Sequence, residues 1–194
     1  MLKILHRVNT LEQLNSIDKT YGVEIDIRSY KGELVVVHDP FQVGLKLIEW
    51  LQNYHHAFVI FNIKEEGLEN SLIEILREYN IKDYFLLDVS FPATIDLIRN
   101  KESRIAIRVS DYESVETAFN LSGKARWIWV DLFKDVFPLS HQEVKKLRAL
   151  GYSFCLVSPE LWGRSKESIN TIRQDMLTHN ISVEAVCTKF PNEW

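Results

Sequence analysis

The stretch Val23-Glu24-Ile25-Asp26-Ile27-Arg28 decides how the rest of the chain is read. As a strand it sends Val23, Ile25 and Ile27 to one face and Glu24, Asp26 and Arg28 to the other. Charges on one face of a buried strand are costly unless they meet a metal, each other or an anionic ligand. Just downstream, Leu34-Val35-Val36-Val37 runs into His38-Asp39, and upstream Lys3-Ile4-Leu5 runs into His6-Arg7. Two histidines at strand ends therefore flank a carboxylate pair with basic groups nearby. Such a set suits a phosphate ester and a divalent cation.

Further apolar runs recur at 58–63, 84–89, 105–109, 127–132, 154–157 and 183–187. Segments with helical periodicity lie between them. The stripes are Leu11, Leu14 and Ile17; Leu45, Ile48 and Leu51; Leu68, Leu72, Ile75, Leu76 and Tyr79; Ile95 and Ile98; Val115, Ala118 and Phe119; Val144 and Leu147; and Ile169, Ile172, Met176 and Leu177. Alternating strands and helices predict a parallel sheet covered by helices. Counting Leu34–Val37 as a hairpin extension, turned at Tyr30-Lys31-Gly32-Glu33, leaves about eight core strands. That is the number of a (β/α)8 TIM barrel, here compact and without its last helix. An open doubly wound sheet is the runner-up. No linker, repeat or low-complexity stretch interrupts the chain, so residues 1–194 are read as one domain.

With 194 residues, 46% of them hydrophobic and 26% charged, the composition is that of a folded globular protein. A net charge of −4 argues against a nucleic-acid binder held by a basic surface. No apolar run approaches the roughly 20 residues of a membrane span. His6-Arg7 follows Met1–Leu5 too soon for a secretory leader, so a cytoplasmic location is expected. Cys155 and Cys187 sit in apolar runs and read as buried, reduced thiols, a disulfide being open only to neighbouring strands.

A parallel barrel works at the C-terminal ends of its strands. There the sequence places His6 and Arg7, His38, Asn62 with Lys64 and Glu65, Asp88, Arg108, Asp131, Ser158 with Glu160, and Lys189. Arg108 has donors suited to phosphate, and is equally suited to pair with Asp88 or Asp131. Trp127 and Trp129 read as packing residues, while Trp162 and Trp194 could wall a pocket. Glu65-Glu66 reads as the acidic start of a helix. His55, His56, His141 and His179 read as surface residues.

Several of these residues together resemble a family. They are His6-Arg7, Asn9-Thr10, Gly22-Val23-Glu24-Ile25-Asp26-Ile27, Gly32 and His38-Asp39, with Asn62-Ile63-Lys64 further on. The set is similar to the glycerophosphodiester phosphodiesterases, which carry His-Arg-Gly, Glu-Asn-Thr, Gly-x-x-x-Glu-x-Asp-Val, Asp-Gly, a strand ending His-Asp, and Glu-x-Lys. The resemblance implies a (β/α) barrel that cleaves a small-molecule phosphodiester with a divalent cation. By position it makes His6 and His38 the acid/base pair, Glu24 and Asp26 cation ligands, and Arg7 and Lys64 phosphate contacts. Three departures stand out. Val8 alone occupies the place of glycine and a loop, Asn62 replaces a glutamate, and the insertion that often shapes the glycerol pocket is missing.

Oxygen ligands favour Mg²⁺ or Ca²⁺, and Asn62 can still offer an amide oxygen. Against this stands a salt-bridge cluster of Glu24 and Asp26 with Arg28, Arg7 or Lys64. Three readings of function follow: a cation-dependent phosphodiesterase, a metal-independent phosphodiester lyase that forms a cyclic phosphate, and a phosphate- or sugar-phosphate-binding protein with a relic site. Oligomeric state is not legible in the sequence.

Overall fold

The computed structural model describes residues 1–194. The chain forms two compact units, one of Leu5–Asn100 and one of Met1–Ile4 with Lys101–Trp194. Strands and helices alternate throughout. The order is β1 (Leu2–Leu5), α1 (Leu11–Ser16), β2 (Gly22–Tyr30), β3 (Glu33–Val36), β4 (Leu45–Lys46), α2 (Leu47–Gln52), β5 (Phe58–Ile63), α3 (Glu69–Glu78), β6 (Tyr84–Leu87), α4 (Phe91–Arg99), β7 (Ala106–Val109), α5 (Glu116–Asn120), β8 (Trp127–Val130), α6 (His141–Ala149), β9 (Ser153–Val157), α7 (Ser168–Thr178) and β10 (Ala185–Thr188). With the β3–β4 hairpin set aside, eight strands alternate with seven α-helices. The fold class is α/β, of the compact (β/α)8 barrel type. A single 3-10 turn, Pro191–Glu193, stands after β10 where an eighth helix would fall.

In the Leu5–Asn100 unit, β2 is the organising strand. It pairs in parallel with β5, with Asp26 opposite Asn62 and Glu24 opposite Ile60, and β5 pairs in parallel with β6. On its other edge β2 pairs antiparallel with β3, with Tyr30 opposite Glu33. The two-residue turn between them has φ of 51° at Lys31 and 83° at Gly32. Such a turn matches the twist of a hairpin and is the reason glycine is wanted at 32. Val23, Ile25 and Ile27 are fully buried, and so, on the opposite face, are Glu24 and Asp26. A strand covered on both faces is normal for a parallel sheet. What is unusual is that one of these faces carries carboxylates.

The helices follow the expected stripes with four shifts. Leu45 belongs to β4, and α2 buries Leu47, Trp50 and Leu51 while Ile48 is exposed. On α3 the buried apolar residues are Leu72, Ile73 and Leu76, and α4 buries Thr94 and Leu97 in place of Ile95 and Ile98. On α7 Leu177 faces solvent. In each case the stripe is set by what the helix packs against, which apolar spacing alone does not specify to within one residue. Thr10 and Ser140 start α1 and α6 with reciprocal capping boxes to Gln13 and Glu143.

In the other unit the strand order is β1, β10, β9, β8, β7, and the neighbouring pairs among β7 to β10 are parallel. Cys155 and Cys187 lie on the neighbouring strands β9 and β10 and are both buried and free. No helix is long and apolar enough to cross a membrane.

Candidate active site

Seven of the eight residues expected to carry chemistry fall in the Leu5–Asn100 unit, gathered around the end of β2. Parallel pairing puts Asp26 and Asn62 side by side, with Glu24 two residues earlier on the same face. The Asn62 amide donates to Glu24 Oε1 at 2.9 Å. With Glu24 ionised the carboxylate only accepts, and Asn62 Oδ1 then faces away from it. The other oxygen, Glu24 Oε2, accepts from the Arg7 backbone N–H at 2.8 Å, and His6 Nε2 lies 3.8 Å from it.

Asp26 is gripped by Asn9, whose Nδ2 donates to Asp26 Oδ2 at 2.8 Å and whose Oδ1 accepts from the Asp26 backbone N–H at 3.1 Å. Asp26 Oδ1 and Asn62 Oδ1 are both buried acceptors without a hydrogen bond. The Lys64 ammonium lies 3.5 Å from Asp26 Oδ1 and 3.5 Å from Asp88 Oδ2, so one lysine faces two carboxylates. Burial first, then repulsion from Asp26, pushes the Glu24 carboxyl up to about 7.

His38 has a defined tautomer. Arg7 Nη2 lies 2.6 Å from His38 Nε2 and can only donate, so Nε2 carries the lone pair. The proton is then on Nδ1, which donates to Asp39 Oδ1 at 2.7 Å. Arg7 itself is about half exposed, lies 4.0 Å from Asp26 through Nε, and has a left-handed φ of 56°. Val8, in the glycine place of the motif, is buried, and its carbonyl accepts from Trp50 Nε1 at 3.0 Å. The tight bend expected of a glycine is thus made one residue earlier, at Arg7.

Arg28 does not enter the carboxylate cluster. It reaches the backbone instead, donating to the His38 carbonyl at 2.8 Å and the Lys64 carbonyl at 3.0 Å. It therefore ties together the two chain segments that deliver His38 and Lys64. Glu65 is no helix starter, because α3 begins at Glu69. It accepts from the Ser29 hydroxyl and backbone N–H, which hold its carboxyl below the usual range. His56 is buried rather than on the surface, stacked 5.9 Å from Tyr54, and burial pushes its pKa down.

The polar strand ends of the other unit are arranged differently. Arg108 donates to Asp131 Oδ2 at 2.9 Å and lies 3.6 Å from Glu113. The second oxygen, Asp131 Oδ1, accepts from Trp162 Nε1 at 2.6 Å. Burial raises the Asp131 pKa in spite of both partners. Glu160 Oε1 accepts from Thr188 Oγ1 at 2.6 Å and from the Lys189 backbone N–H at 2.9 Å. The Ser158 hydroxyl donates to Glu160 Oε2 and accepts from Trp194 Nε1. Both indoles expected near a pocket have their N–H groups committed to these networks.

Asn9, Asp39 and Arg28 are the site residues that pattern reading passes over. Asn9 and Asp39 stand inside the recognisable motif, but as neighbours of the residues with obvious chemistry. Arg28 was visible only as a charge on the strand, and its backbone targets depend on a loop path that sequence does not give.

No group of three His, Cys, Asp or Glu side chains is arranged to hold a metal ion. Two carboxylates and an amide oxygen are nevertheless together, and two of their oxygens are buried acceptors without a hydrogen bond. Buried oxygens of this kind suit a hard cation, so the residues present fit Mg²⁺ or Ca²⁺.

The fold is one shared with solved α/β proteins. Three solved structures share the fold. The glycerophosphoryl diester phosphodiesterase of Parabacteroides distasonis ATCC 8503 superposes with a TM-score of 0.71 at 14% identity, over 99% of this chain and 84% of that one. A putative glycerophosphoryl diester phosphodiesterase of Silicibacter pomeroyi DSS-3 gives 0.67 at 12% identity, over 100% and 91%. The glycerophosphodiester phosphodiesterase of Agrobacterium tumefaciens C58 gives 0.64 at 14%, over 100% and 97%. No protein-family model and no curated protein matches the chain in sequence. At these identities the likeness is one of fold.

Proposed function

We propose that the chain is a phosphodiesterase acting on a glycerophosphodiester-like or related small-molecule phosphodiester, with residues 1–194 working as one domain. The observation that carries this reading is the cluster at the end of β2. It combines two buried carboxylates, two buried oxygens without hydrogen bonds, two histidines, and an arginine and a lysine. Glu24, Asp26 and Asn62 would hold Mg²⁺ or Ca²⁺. Such a cation supplies charge neutralisation for the anionic diester.

Arg7 and Lys64 bind the phosphate oxygens. Arg7 has a second task. In the free protein it covers His38 Nε2, and an arriving phosphate draws the guanidinium away and uncovers the lone pair. Asp39 holds the opposite ring nitrogen, so the imidazole keeps its orientation throughout. A water oxygen then bonds to phosphorus as the ester P–O bond breaks. One histidine of the His6/His38 pair takes the proton of the water, and the other gives a proton to the departing alkoxide. The products are an alcohol and a phosphomonoester. Arg108 is a further candidate phosphate contact, of small weight because Asp131 and Glu113 already hold it.

One observation favours a second reading. Lys64 Nζ and Arg7 Nε lie 3.5 and 4.0 Å from Asp26, so the chain brings its own cations to the carboxylates. In a metal-independent lyase, a hydroxyl of the substrate attacks phosphorus and a cyclic phosphate forms as the alcohol leaves. Hydrolysis of bis(p-nitrophenyl) phosphate and of glycerophosphocholine by metal-stripped protein, with Mg²⁺, Ca²⁺ or Mn²⁺ added back, separates the readings. Cation-dependent turnover is expected. Turnover of glycerophosphocholine to a cyclic product in the presence of chelator selects the lyase. Failure on both compounds, together with no cation binding, removes the cation-dependent reading.

A further inference from the structure

Beside His38 lies a cleft of about 460 Å³, within the size range of small-molecule sites. Its walls are Leu11 at the start of α1, Val36 and Val37 at the end of β3, and Val43 and Leu45 around the start of β4. His38 and Asn9 line it too, so it is continuous with the cluster at the end of β2. All of these residues belong to the Leu5–Asn100 unit.

The polar groups along this cleft are already occupied. Both ends of the Asn9 amide are held by Asp26. The Thr10 hydroxyl donates to the Gln13 side chain and accepts from the Gln13 backbone N–H. Both His38 nitrogens have partners. Most of what faces the space is hydrocarbon. A polyol such as glycerol would leave its hydroxyls unpaired against these walls, and burying an unpaired hydroxyl is costly. An alkyl group meets no such cost.

The loop between β3 and β4 has the same character. Phe41 is fully exposed and Val43 is 75% exposed, two residues apart on a short loop. Close backbone packing keeps the wall in place. A Cβ on Gly44 would lie 2.9 Å from the Val36 carbonyl oxygen and 2.9 Å from Val37 Cβ.

We infer that this cleft takes an aliphatic chain, so that one ester group of the substrate is an alkyl- or acyl-bearing alcohol rather than free glycerol. The inference rests on the phosphodiesterase reading for the word substrate, and on the cleft alone for the chain. The test is a series of p-nitrophenyl alkyl phosphates with methyl, butyl and octyl groups. Alongside it, isothermal titration measures binding of methyl and octyl phosphate below the onset of micelles. Full burial of a methylene corresponds to about fourfold in affinity.

We expect kcat/KM to rise tenfold or more (about two fully buried methylenes) from methyl to octyl. Val43→Asp, a change at an exposed position, should flatten the series and leave methyl-ester turnover intact. Leu45→Asn should act in the same direction. Turnover without chain-length dependence overturns the inference and leaves the phosphodiesterase reading standing. If no diester turns over while octyl phosphate still binds tenfold tighter than methyl phosphate and Val43→Asp abolishes the difference, the cleft assignment stands and the catalytic reading falls. Equal binding of the two phosphates overturns the inference whatever the turnover.

Discussion

The two units carry polar strand ends of opposite character. At the end of β2 Glu24 has a donor on each oxygen, but Asp26 and Asn62 are incompletely satisfied. Asp26 Oδ1 and Asn62 Oδ1 are buried without hydrogen bonds, and although burial pushes up both Glu24 and Asp131, Glu24 is pushed further by the Asp26 carboxylate beside it. In the other unit Asp131 has one donor on each oxygen and Glu160 has three donors in all. Both places read alike in sequence, as ionisable groups at the ends of strands. The difference is one of completeness. A satisfied buried carboxylate fastens loops to strands, whereas an unsatisfied one beside histidines, Lys64 and the half-exposed Arg7 is held ready for something that arrives.

That contrast is easiest to break at His38. Under the proposed chemistry His38→Ala lowers kcat/KM by roughly 10²–10⁴-fold, the usual contribution of a positioned acid or base. Steady-state kinetics on a chromogenic diester measures it. Next in size, Asp26→Asn is expected to weaken Mg²⁺ or Ca²⁺ binding by about a hundredfold or more, since even outer-shell changes cost about 10–100-fold. Titration calorimetry of metal-stripped protein reads this directly. In the other unit Glu160→Leu should lower folding stability by roughly 3 kcal/mol, because Thr188, Ser158 and the Lys189 N–H lose a buried acceptor. Urea unfolding gives that number, with turnover per folded molecule unchanged.

A pH titration sharpens the same comparison. In metal-free protein the Glu24 carboxyl is raised from 4.5 to about 7. The folded state therefore holds a proton that the unfolded state has released. This contribution to stability is complete below about 4.5 and is lost as pH rises through about 7. Thermal unfolding of the metal-stripped protein should accordingly show Tm falling from pH 5 to 8, with Glu24→Gln reducing the slope. The smallest effect is expected at Arg108, which Asp131 and Glu113 already hold. Arg108→Lys should change KM by no more than about threefold, in keeping with a partly exposed pair.

The sequence made most of this legible, and the reasons for the rest are physical. All nine strand-like runs are strands, because β-branched runs bounded by turn residues leave little choice. Glu24, Asp26 and Asn62 fall together because strand alternation and parallel pairing fix their face. Helix faces were less well specified, as Ile48 and Leu177 show, since a one-residue rotation preserves the apolar spacing. Partnerships across loops were not legible at all. Arg28 reaches the carbonyls of His38 and Lys64, Glu65 reaches Ser29, and Arg7 covers His38. Each depends on where a loop returns. The missing insertion was visible as a short spacing after His38, but the hydrocarbon walls of the cleft needed coordinates.

The most direct test of the central claim compares Asp26→Asn with Glu160→Gln in one experiment. Both replace a buried carboxylate by its amide. Turnover of bis(p-nitrophenyl) phosphate with added cation, measured where both variants are folded, is set beside the Tm of each. The account predicts that Asp26→Asn loses turnover while its Tm holds or rises, and that Glu160→Gln loses Tm while turnover per folded molecule holds. The reverse pairing, or equal loss of turnover in both, would contradict it.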